Sequence, residues 1–424
     1  MSETVNEQEK IIEKALLIGA SLGSGKLNDT DEASMNELAE LVKAADAEPC
    51  AIMIQNIKSV DPRTFIGKGK VEEAAEFIRN NEISMVIFDQ ELSGSVTKNL
   101  ENELGVRVID RSRLILDIFA KRATTKEGKC QVELAQLRYI LPRLSGIGAD
   151  LSRQGGGIGT RGPGETKLET DRRHIQKKIE YLTDELKEIE KHRFNIRRKR
   201  QADDIPQIAV VGYTNAGKSS LINLLTGDND AYVENMLFAT LDPLIRKFKL
   251  NDKTEVLISD TVGFVRKLPH HLVEAFKSTL EEVKYADIIL HLIDSSSDDV
   301  GNAVEVVDGI LKELNTEDKP VLKVFNKCDL KMPPRELEDN DSVVISVKEE
   351  ININKLTDKL QELILSSKHN VTVIIPYSEG NILGYIYKSA TVISETPKED
   401  GYLMEISADE ECFNKIKKWI VQGE

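Results

Sequence analysis

The chain has 424 residues, 40% of them hydrophobic and 30% charged, and a net charge of −15. That length is enough for two to four domains with ordinary buried cores. No run of 18 apolar residues occurs, which excludes a membrane-spanning helix, and the four cysteines (Cys50, Cys130, Cys328, Cys412) have neither metal-ligand spacing nor the pattern of a disulfide framework. The polar start MSETVNEQEK lacks the apolar run of a secretory leader, so a cytoplasmic protein with reduced thiols is expected. The acidic balance weighs against a nucleic-acid partner for the chain as a whole. Residues 143–200 depart from it, with 15 Lys/Arg against 9 Asp/Glu, leaving −21 on the rest.

Residues 14–22 and 51–60 read as strands, with an amphipathic helix over 31–46 between them whose stripe is Met35, Leu38, Leu41 and Val42. The loop FIGKGK leads into a helix, VEEAAEFIRNNE. A strand (MVIFDQ), a helix (VTKNLENELG) and a strand (VRVIDRS) follow. This alternation predicts a parallel sheet with covering helices, a small α/β domain over 1–118.

Residues 119–200 are expected to form a helical hairpin. Its first helix covers 126–141, with Leu134, Leu137 and Leu141 inward and Pro142 as its end. Its second covers about 166–200, reaching roughly 50 Å. The apolar seam of this second helix is Ile175, Ile179, Leu182, Leu186, Ile189 and Ile196, a coiled-coil period that Arg193 interrupts. Between the helices lies the glycine-rich loop GGGIGTRGPGE.

From 201 to 368 strands and helices alternate again: QIAVVGYT, KSSLINLLTG, then LIRKFKL and TEVLISDTV facing across the turn NDKT. DIILHLIDSS, PVLKVFNKCD and SVVISVK are further strands. Residues 369–424 read as strand, helix, strand, strand, helix. The predicted fold is therefore α/β and multidomain, closing on a small α+β unit.

Gly212-Tyr213-Thr214-Asn215-Ala216-Gly217-Lys218-Ser219 fits G-x4-G-K-S, follows a hydrophobic strand and opens a helix. In such a loop the backbone N–H groups and the helix N-terminus cradle phosphates. Lys218 reaches the β- and γ-phosphates, while the Ser219 hydroxyl, with Ser220 beside it, suits Mg²⁺ coordination. Asn215 is placed either to help hold a monovalent cation such as K⁺ or to serve only as a turn residue.

Asp260-Thr261-Val262-Gly263 ends a strand; Asp260 is a carboxylate for Mg²⁺, and the Gly263 N–H is placed to sense a γ-phosphate. Thr240, in LFATLDP between these motifs, is the candidate hydroxyl that closes over the metal. The catalytic candidates are Lys218, Thr240 and Gly263.

Asn326-Lys327-Cys328-Asp329 chooses the base. A carboxylate at Asp329 accepts from guanine N1–H and N2–H₂, and adenine offers neither, so GTP is expected over ATP. Asn326 can tie this loop to the P-loop, and the Lys327 stem can cover the base. Ser346-Val347-Lys348 supplies a further base contact, a backbone N–H to guanine O6. Phe264 stands where many GTPases place a Gln that orients the attacking water. Slow hydrolysis completed by a partner is therefore expected, unless His270 or His271 substitutes.

Two near-misses occur. GASLGSGK at 19–26 has Ala20 where the first Gly belongs, and Leu27 where the Mg²⁺ hydroxyl belongs. GKGK at 67–70 opens a helix and could bind an anion, but an ordinary strand–helix turn is the simpler reading.

Beyond the nucleotide motifs, FIGKGKVEE, QVELAQLRYILPRL, GGGIGTRGPGETKLETDRR, GYTNAGKSSLIN, LFATLDP, DTVGF and NKCD make the chain resemble HflX, the ribosome-associated GTPase family of the Obg–HflX group. LDPLIRKF departs from the family with Leu and Ile where Thr or Ser is usual. The resemblance implies binding to the large (50S) ribosomal subunit and the 70S ribosome. It also implies splitting or rescue of stalled or idle ribosomes, and GTP hydrolysis stimulated by the ribosome. A second nucleotide site in the N-terminal domain, suggested for some relatives, is not expected here because 19–26 is a failed P-loop. The loop with Arg153, Gly156, Gly157, Arg161 and Gly162 is then the probe for rRNA, its bare backbone allowing close approach and its arginines suiting phosphate or base. A monomer is expected. The alternatives are an Obg-like 50S assembly GTPase and a regulatory GTPase acting on a protein partner through a dimerising hairpin.

Overall fold

The computed structural model describes residues 12–22, 29–152, 163–202, 205–227, 238, 244–250, 254–266, 277–297, 299–337, 339, 341–366, 369–408 and 410–421. The chain is α/β and multidomain, with three separate sheets.

The first sheet is parallel and four-stranded, in the order β2-β1-β3-β4. Its strands are β1 (Lys14–Leu22), β2 (Glu48–Ile57), β3 (Met85–Phe88) and β4 (Arg107–Asp110). Alternate residues of β1 point to opposite faces. Ala15 and Leu17 meet Leu38 and Leu41 of α1 (Asp29–Ala44) and Leu114 and Ile118 of α4 (Arg111–Arg122). Leu16 and Ile18 meet Val71, Ala74 and Ile78 of α2 (Lys68–Asn81) and Val96 and Leu100 of α3 (Gly94–Leu104). The second strand lies three residues earlier than its expected 51–60. Alternating burial makes β2 a half-exposed edge strand, so its apolar run did not mark its start.

The hairpin consists of α5 (Lys126–Ser152) and α6 (Pro163–Ala202). Cys130, Leu134, Leu137 and Leu141 of α5 pack against Ile175, Ile179, Leu182 and Leu186 of α6, the expected seam. Pro142 does not end α5, contrary to expectation. A proline inside a helix costs about 3 kcal/mol and frees a carbonyl one turn back. That carbonyl is Arg138's, and the residues around the proline are tied down: Arg143 Nη1 donates to the Tyr139 carbonyl at 2.9 Å. Its Nη2 donates to the Leu92 carbonyl at 2.9 Å and to Asp110 Oδ2 at 3.1 Å. The Tyr139 hydroxyl donates to Asp110 Oδ1 at 2.9 Å. Tertiary anchors on both sides of the proline thus override its local preference.

The second sheet has six strands in the order β10-β9-β8-β5-β7-β6, parallel except for the β6–β7 pair. They are β5 (Gln207–Gly212), β6 (Ile245–Leu250), β7 (Thr254–Asp260), β8 (Ile288–Asp294), β9 (Val321–Asn326) and β10 (Val343–Val344). Ile208 and Val210 point towards Leu221 and Ile222 of α7 (Lys218–Thr226) and Leu356 and Leu360 of α10 (Ile353–Ser366). Ala209 and Val211 point towards Leu280 and Val283 of α8 (Lys277–Tyr285) and Val307 and Leu311 of α9 (Val300–Glu313). Helices therefore cover both faces. SVVISVK yields only a two-residue strand, because Ser346 and Ile351 exchange backbone hydrogen bonds and turn the chain.

The third sheet is antiparallel, β11 (His369–Pro376), β13 (Gly401–Ala408) and β12 (Ala390–Lys398), with α11 (Gly380–Ser389) and α12 (Glu410–Ile416). No helix among the described residues is long and apolar enough to cross a membrane.

Candidate functional site

The site forms at the C-terminal ends of β5, β7 and β9, the usual ligand edge of an open α/β sheet. Two glycines make the 212–219 loop possible. Gly212 has φ +157°, and a Cβ there would lie 2.2 Å from the Leu292 carbonyl oxygen. Gly217 has φ +95°, and a Cβ there would lie 2.5 Å from Asn326 Nδ2. Asn215, exposed at φ +61°, is a side chain that tolerates the left-handed region. Thr214 and Ala216 are buried, and Tyr213, Ser219 and Ser220 half-buried.

Lys218 folds back over the loop, donating to the carbonyls of Gly212 at 3.1 Å and Tyr213 at 2.9 Å. Burial pushes its ammonium down to about 8, against the opposing pull of Asp260. An anion held at this nitrogen restores the charged form.

Ser219 Oγ donates to Asp260 Oδ2 at 2.8 Å. A hydroxyl beside a carboxylate, both hard oxygen donors, fits Mg²⁺. Among the described residues no group of three or more His, Cys, Asp or Glu side chains could hold a metal, so such an ion would draw on Ser219, Asp260, phosphate oxygens and water.

Gly263 packs on the P-loop, and the following residue is zipped to it. The Thr214 N–H donates to the Phe264 carbonyl at 2.8 Å, and the Phe264 N–H to the Gly212 carbonyl at 3.2 Å. The Phe264 ring is buried at 3% exposure among Val262, Val265 and Phe238. It is a core side chain with no group that could hydrogen-bond to water.

The base-side loop is knitted to the phosphate-side loop. Asn326 Nδ2 donates to the Ala216 carbonyl at 2.8 Å, and its Oδ1 accepts the Val347 N–H at 3.0 Å. The Ser346 hydroxyl donates to Asp329 Oδ1 at 2.6 Å and fixes that carboxylate. Lys327, at φ +65°, donates to Asp294 Oδ2 at 2.6 Å. The Lys348 ammonium sits 3.6 Å from Glu349 Oε1.

Thr240, His270 and His271 lie outside the described residues, as do Arg153, Gly156, Gly157, Arg161 and Gly162. At the near-miss GKGK the Gly67 N–H donates to Gln55 Oε1 at 2.9 Å and Lys70 pairs with Glu73 at 2.9 Å, a turn satisfied from within. The other near-miss runs into residues outside the described set after Leu22.

Two clusters had no motif to announce them. Glu37 and Arg111 of the N-terminal unit contact Tyr213 and Arg266 beside the phosphate loops. Arg193 of α6 reaches Glu127 Oε1 at 3.2 Å and Glu281 Oε2 at 3.1 Å. Only Arg193 left a trace in the sequence, as the residue that breaks the heptad seam.

A doubly covered sheet, a strand–glycine loop–helix junction, a strand-end carboxylate facing its serine and a base loop with a fixed aspartate define a P-loop GTPase. Family models agree. One described as 50S ribosome-binding GTPase matches residues 207–327, and those described as GTP-binding GTPase N-terminal and Middle Region match 32–120 and 122–200. The chain belongs to the HflX GTPase family. It is 46% identical over 422 residues to GTPase HflX of Caldanaerobacter subterraneus subsp. tengcongensis, covering 99% of this chain and 96% of that one. It is 44% identical over 419 residues to GTPase HflX of Lacrimispora saccharolytica, covering 98% of each. A GTP-binding protein from Sulfolobus solfataricus, solved in complex with GDP, is 27% identical, with a TM-score of 0.45 over 84% of this chain and 99% of that one.

Proposed function

We propose that this GTPase acts on the ribosome: it binds the large (50S) subunit and the 70S particle, splits or rescues stalled or idle ribosomes, and has its GTP hydrolysis stimulated there. The observation that carries this reading is the attachment of the hairpin to the nucleotide unit. Arg193 of the basic 143–200 segment is ion-paired to Glu281, on the helix that follows the DTVGF segment. The match of 207–327 to a ribosome-binding GTPase family supports the same partner. The four domains are 1–118, 119–200, 201–368 and 369–424, acting in a cytoplasmic monomer.

In this reading Gly212, Tyr213, Thr214, Asn215, Ala216 and Gly217 wrap the phosphates with backbone N–H groups. Lys218 orients the β- and γ-phosphates, and Ser220 closes the first helical turn. Ser219, Asp260 and Thr240 would hold Mg²⁺, which when bound neutralises charge on the β- and γ-oxygens. The Gly263 N–H donates to the γ-phosphate. Asp329, fixed by Ser346, accepts from guanine N1–H and N2–H₂, and Asn326, Lys327, Val347 and Lys348 hold the base loops in place. K⁺ is a further candidate ligand at Asn215. With Phe264 buried, no side chain at that position orients water, so hydrolysis alone is slow and the ribosome completes the site. Arg153, Gly156, Gly157, Arg161 and Gly162 contact rRNA.

Sedimentation of 70S ribosomes through sucrose with this protein and a non-hydrolysable GTP analogue tests the reading. Subunits should separate, and R161E should lose ribosome binding while keeping nucleotide affinity. Because phosphate contacts release counterions, binding should fall steeply with salt. Ribosomes that stay intact would exclude splitting, and immature 50S particles on depletion would favour the assembly role.

A further inference from the structure

The N-terminal unit reaches into the nucleotide site through one carboxylate. Glu37 lies on α1 with its side chain 10% exposed. Its Oε1 accepts the backbone N–H of Arg266 at 3.1 Å and Arg111 Nη1 at 2.7 Å. Its Oε2 accepts the hydroxyl of Tyr213, the second residue of the P-loop. Arg111 is 2% exposed and fully engaged: Nη1 also donates to the Arg266 carbonyl at 3.3 Å, Nη2 to the Ser34 carbonyl at 2.7 Å, and Nε to Asp89 Oδ1 at 2.9 Å. Both backbone polar groups of Arg266 are therefore held by the N-terminal unit. The Arg266 side chain lies between two carboxylates, its Nε 3.8 Å from Glu37 Oε2 and its Nη2 donating to Asp299 Oδ2 at 2.6 Å.

Arg266 stands three residues after Gly263, and the intervening Phe264 is paired to the P-loop backbone. The space between Gly263 and that loop is small. A single carbon added at Gly263 would lie 2.7 Å from Thr214 Cγ2 and 3.0 Å from Lys218 Nζ. A phosphoryl group is larger than a methyl group. Lys218 can swing off the Gly212 and Tyr213 carbonyls, but the Thr214 Cα, which would lie 2.9 Å from the added carbon, is backbone and cannot, so room for the group comes from withdrawal of Gly263. Phe264, Val265 and Arg266 follow along the chain, and Arg266 cannot shift without loosening Glu37 and Arg111.

We propose that Glu37 is a positioning residue of the GTP site, clamping Tyr213 and Arg266 so that docking of the N-terminal unit and seating of the γ-phosphate oppose each other. The proposal rests on the GTP site described above. By linkage the opposition is mutual. Triphosphate loosens the N-terminal unit from the site, and any partner that draws this unit away favours triphosphate over diphosphate by the same factor. GDP, which lacks the third phosphate, leaves the clamp closed.

The test uses the full chain and fluorescent GDP and GMPPNP. E37Q, which removes the charge and keeps the shape, should tighten GMPPNP relative to GDP by about tenfold, towards the lower end of the range for coupled sites. Y213F, which removes one hydroxyl and leaves the Glu37–Arg111 pair, should move the same ratio in the same direction, and it carries the test should E37Q unfold. In the wild type, amide exchange over residues 30–40 should be faster with GMPPNP than with GDP, and this difference should vanish in E37Q. A purely structural role would lower both affinities together and leave their ratio alone. A ratio within twofold of wild type in both variants, or equal exchange with both nucleotides, overturns the clamp. Wild-type protein that binds neither nucleotide overturns the GTP site itself.

Discussion

Asn326 joins the 212–219 loop to the 346–348 segment, and if these loops hold nucleotide its loss should be felt in both. The side chain is 2% exposed and makes two hydrogen bonds, to the Ala216 carbonyl at 2.8 Å and from the Val347 N–H at 3.0 Å. N326A strands both partners. A buried polar group left unpaired costs about 1–3 kcal/mol, so the pair should cost about 3 kcal/mol. Bound nucleotide would have to restore the order that Asn326 supplies, and its affinity should fall roughly 10²-fold, for GDP and GTP alike. N326D should be no better. Its carboxylate can still accept from Val347, but the other oxygen faces the Ala216 carbonyl where an N–H had been, and the charge is buried. Fluorescent-nucleotide titration with thermal unfolding measures both effects. Nucleotide binding by N326D within threefold of wild type would refute this account, since it leaves no role for the donor. So would a loss confined to GTP, which would place Asn326 on the γ-phosphate rather than between the loops.

Two other outcomes follow from the same geometry. D329N replaces one acceptor with a donor facing the guanine N2 amine, while xanthine presents a carbonyl there. GTP affinity should drop about 10²-fold and XTP should become the better ligand in competition binding; GTP still preferred over XTP would put Asp329 away from the base. His291, at 1% exposure on the central strand β8, is pushed down to about 3 by burial, helped by the positive charges of Lys323 and Lys218. The unfolded chain takes up that proton near the ordinary value of 6.5 and the folded chain only near 3. Stability is therefore complete above about pH 6.5 and falls as pH drops towards 3, by about 2 kcal/mol at pH 5. H291L should flatten this loss in urea unfolding at pH 5 and 7.5, and equal slopes for the two proteins would rule it out.

The nucleotide site was legible because its chemistry is local in sequence. A glycine at 212 is forced by the approach of Leu292, and a glycine at 217 by Asn326, so the spacing of the motif is the imprint of those contacts. The alternation of strands and helices was legible for a similar reason, since each buried strand carries its apolar run. What failed was decided at long range. Pro142 reads as a helix end, yet it sits inside α5 because Arg143 and Tyr139 are anchored to Asp110 of another unit. Phe264 marks the absence of a water-orienting side chain, and nothing local says that it belongs to the core. Glu37 and Arg111, 74 residues apart, carry no motif.

The interruption at Arg193 shows how a defect in a pattern can be informative. A coiled-coil seam pays for a charged residue with lost apolar contact unless that residue has partners of its own. Arg193 has Glu127 on the neighbouring hairpin helix and Glu281 on the helix following DTVGF. The chain beyond Gly263 is thus held from two sides: Arg266 by Glu37 and Arg111 of the N-terminal unit, and Glu281 by Arg193 of the hairpin. Phe238, which precedes Gly263 in the chain, makes a separate contact with the N-terminal unit, its ring 4.6 Å from that of Phe119 on α4. Interfaces packed this closely are not continuously deformable. A displacement of Gly263 by a single bond length would have to be absorbed at Arg266 or passed on, and the buried ion pairs at Glu37 make absorption there costly. The N-terminal unit and the hairpin therefore both hold the chain that follows Gly263, the one at Arg266 and the other at Glu281.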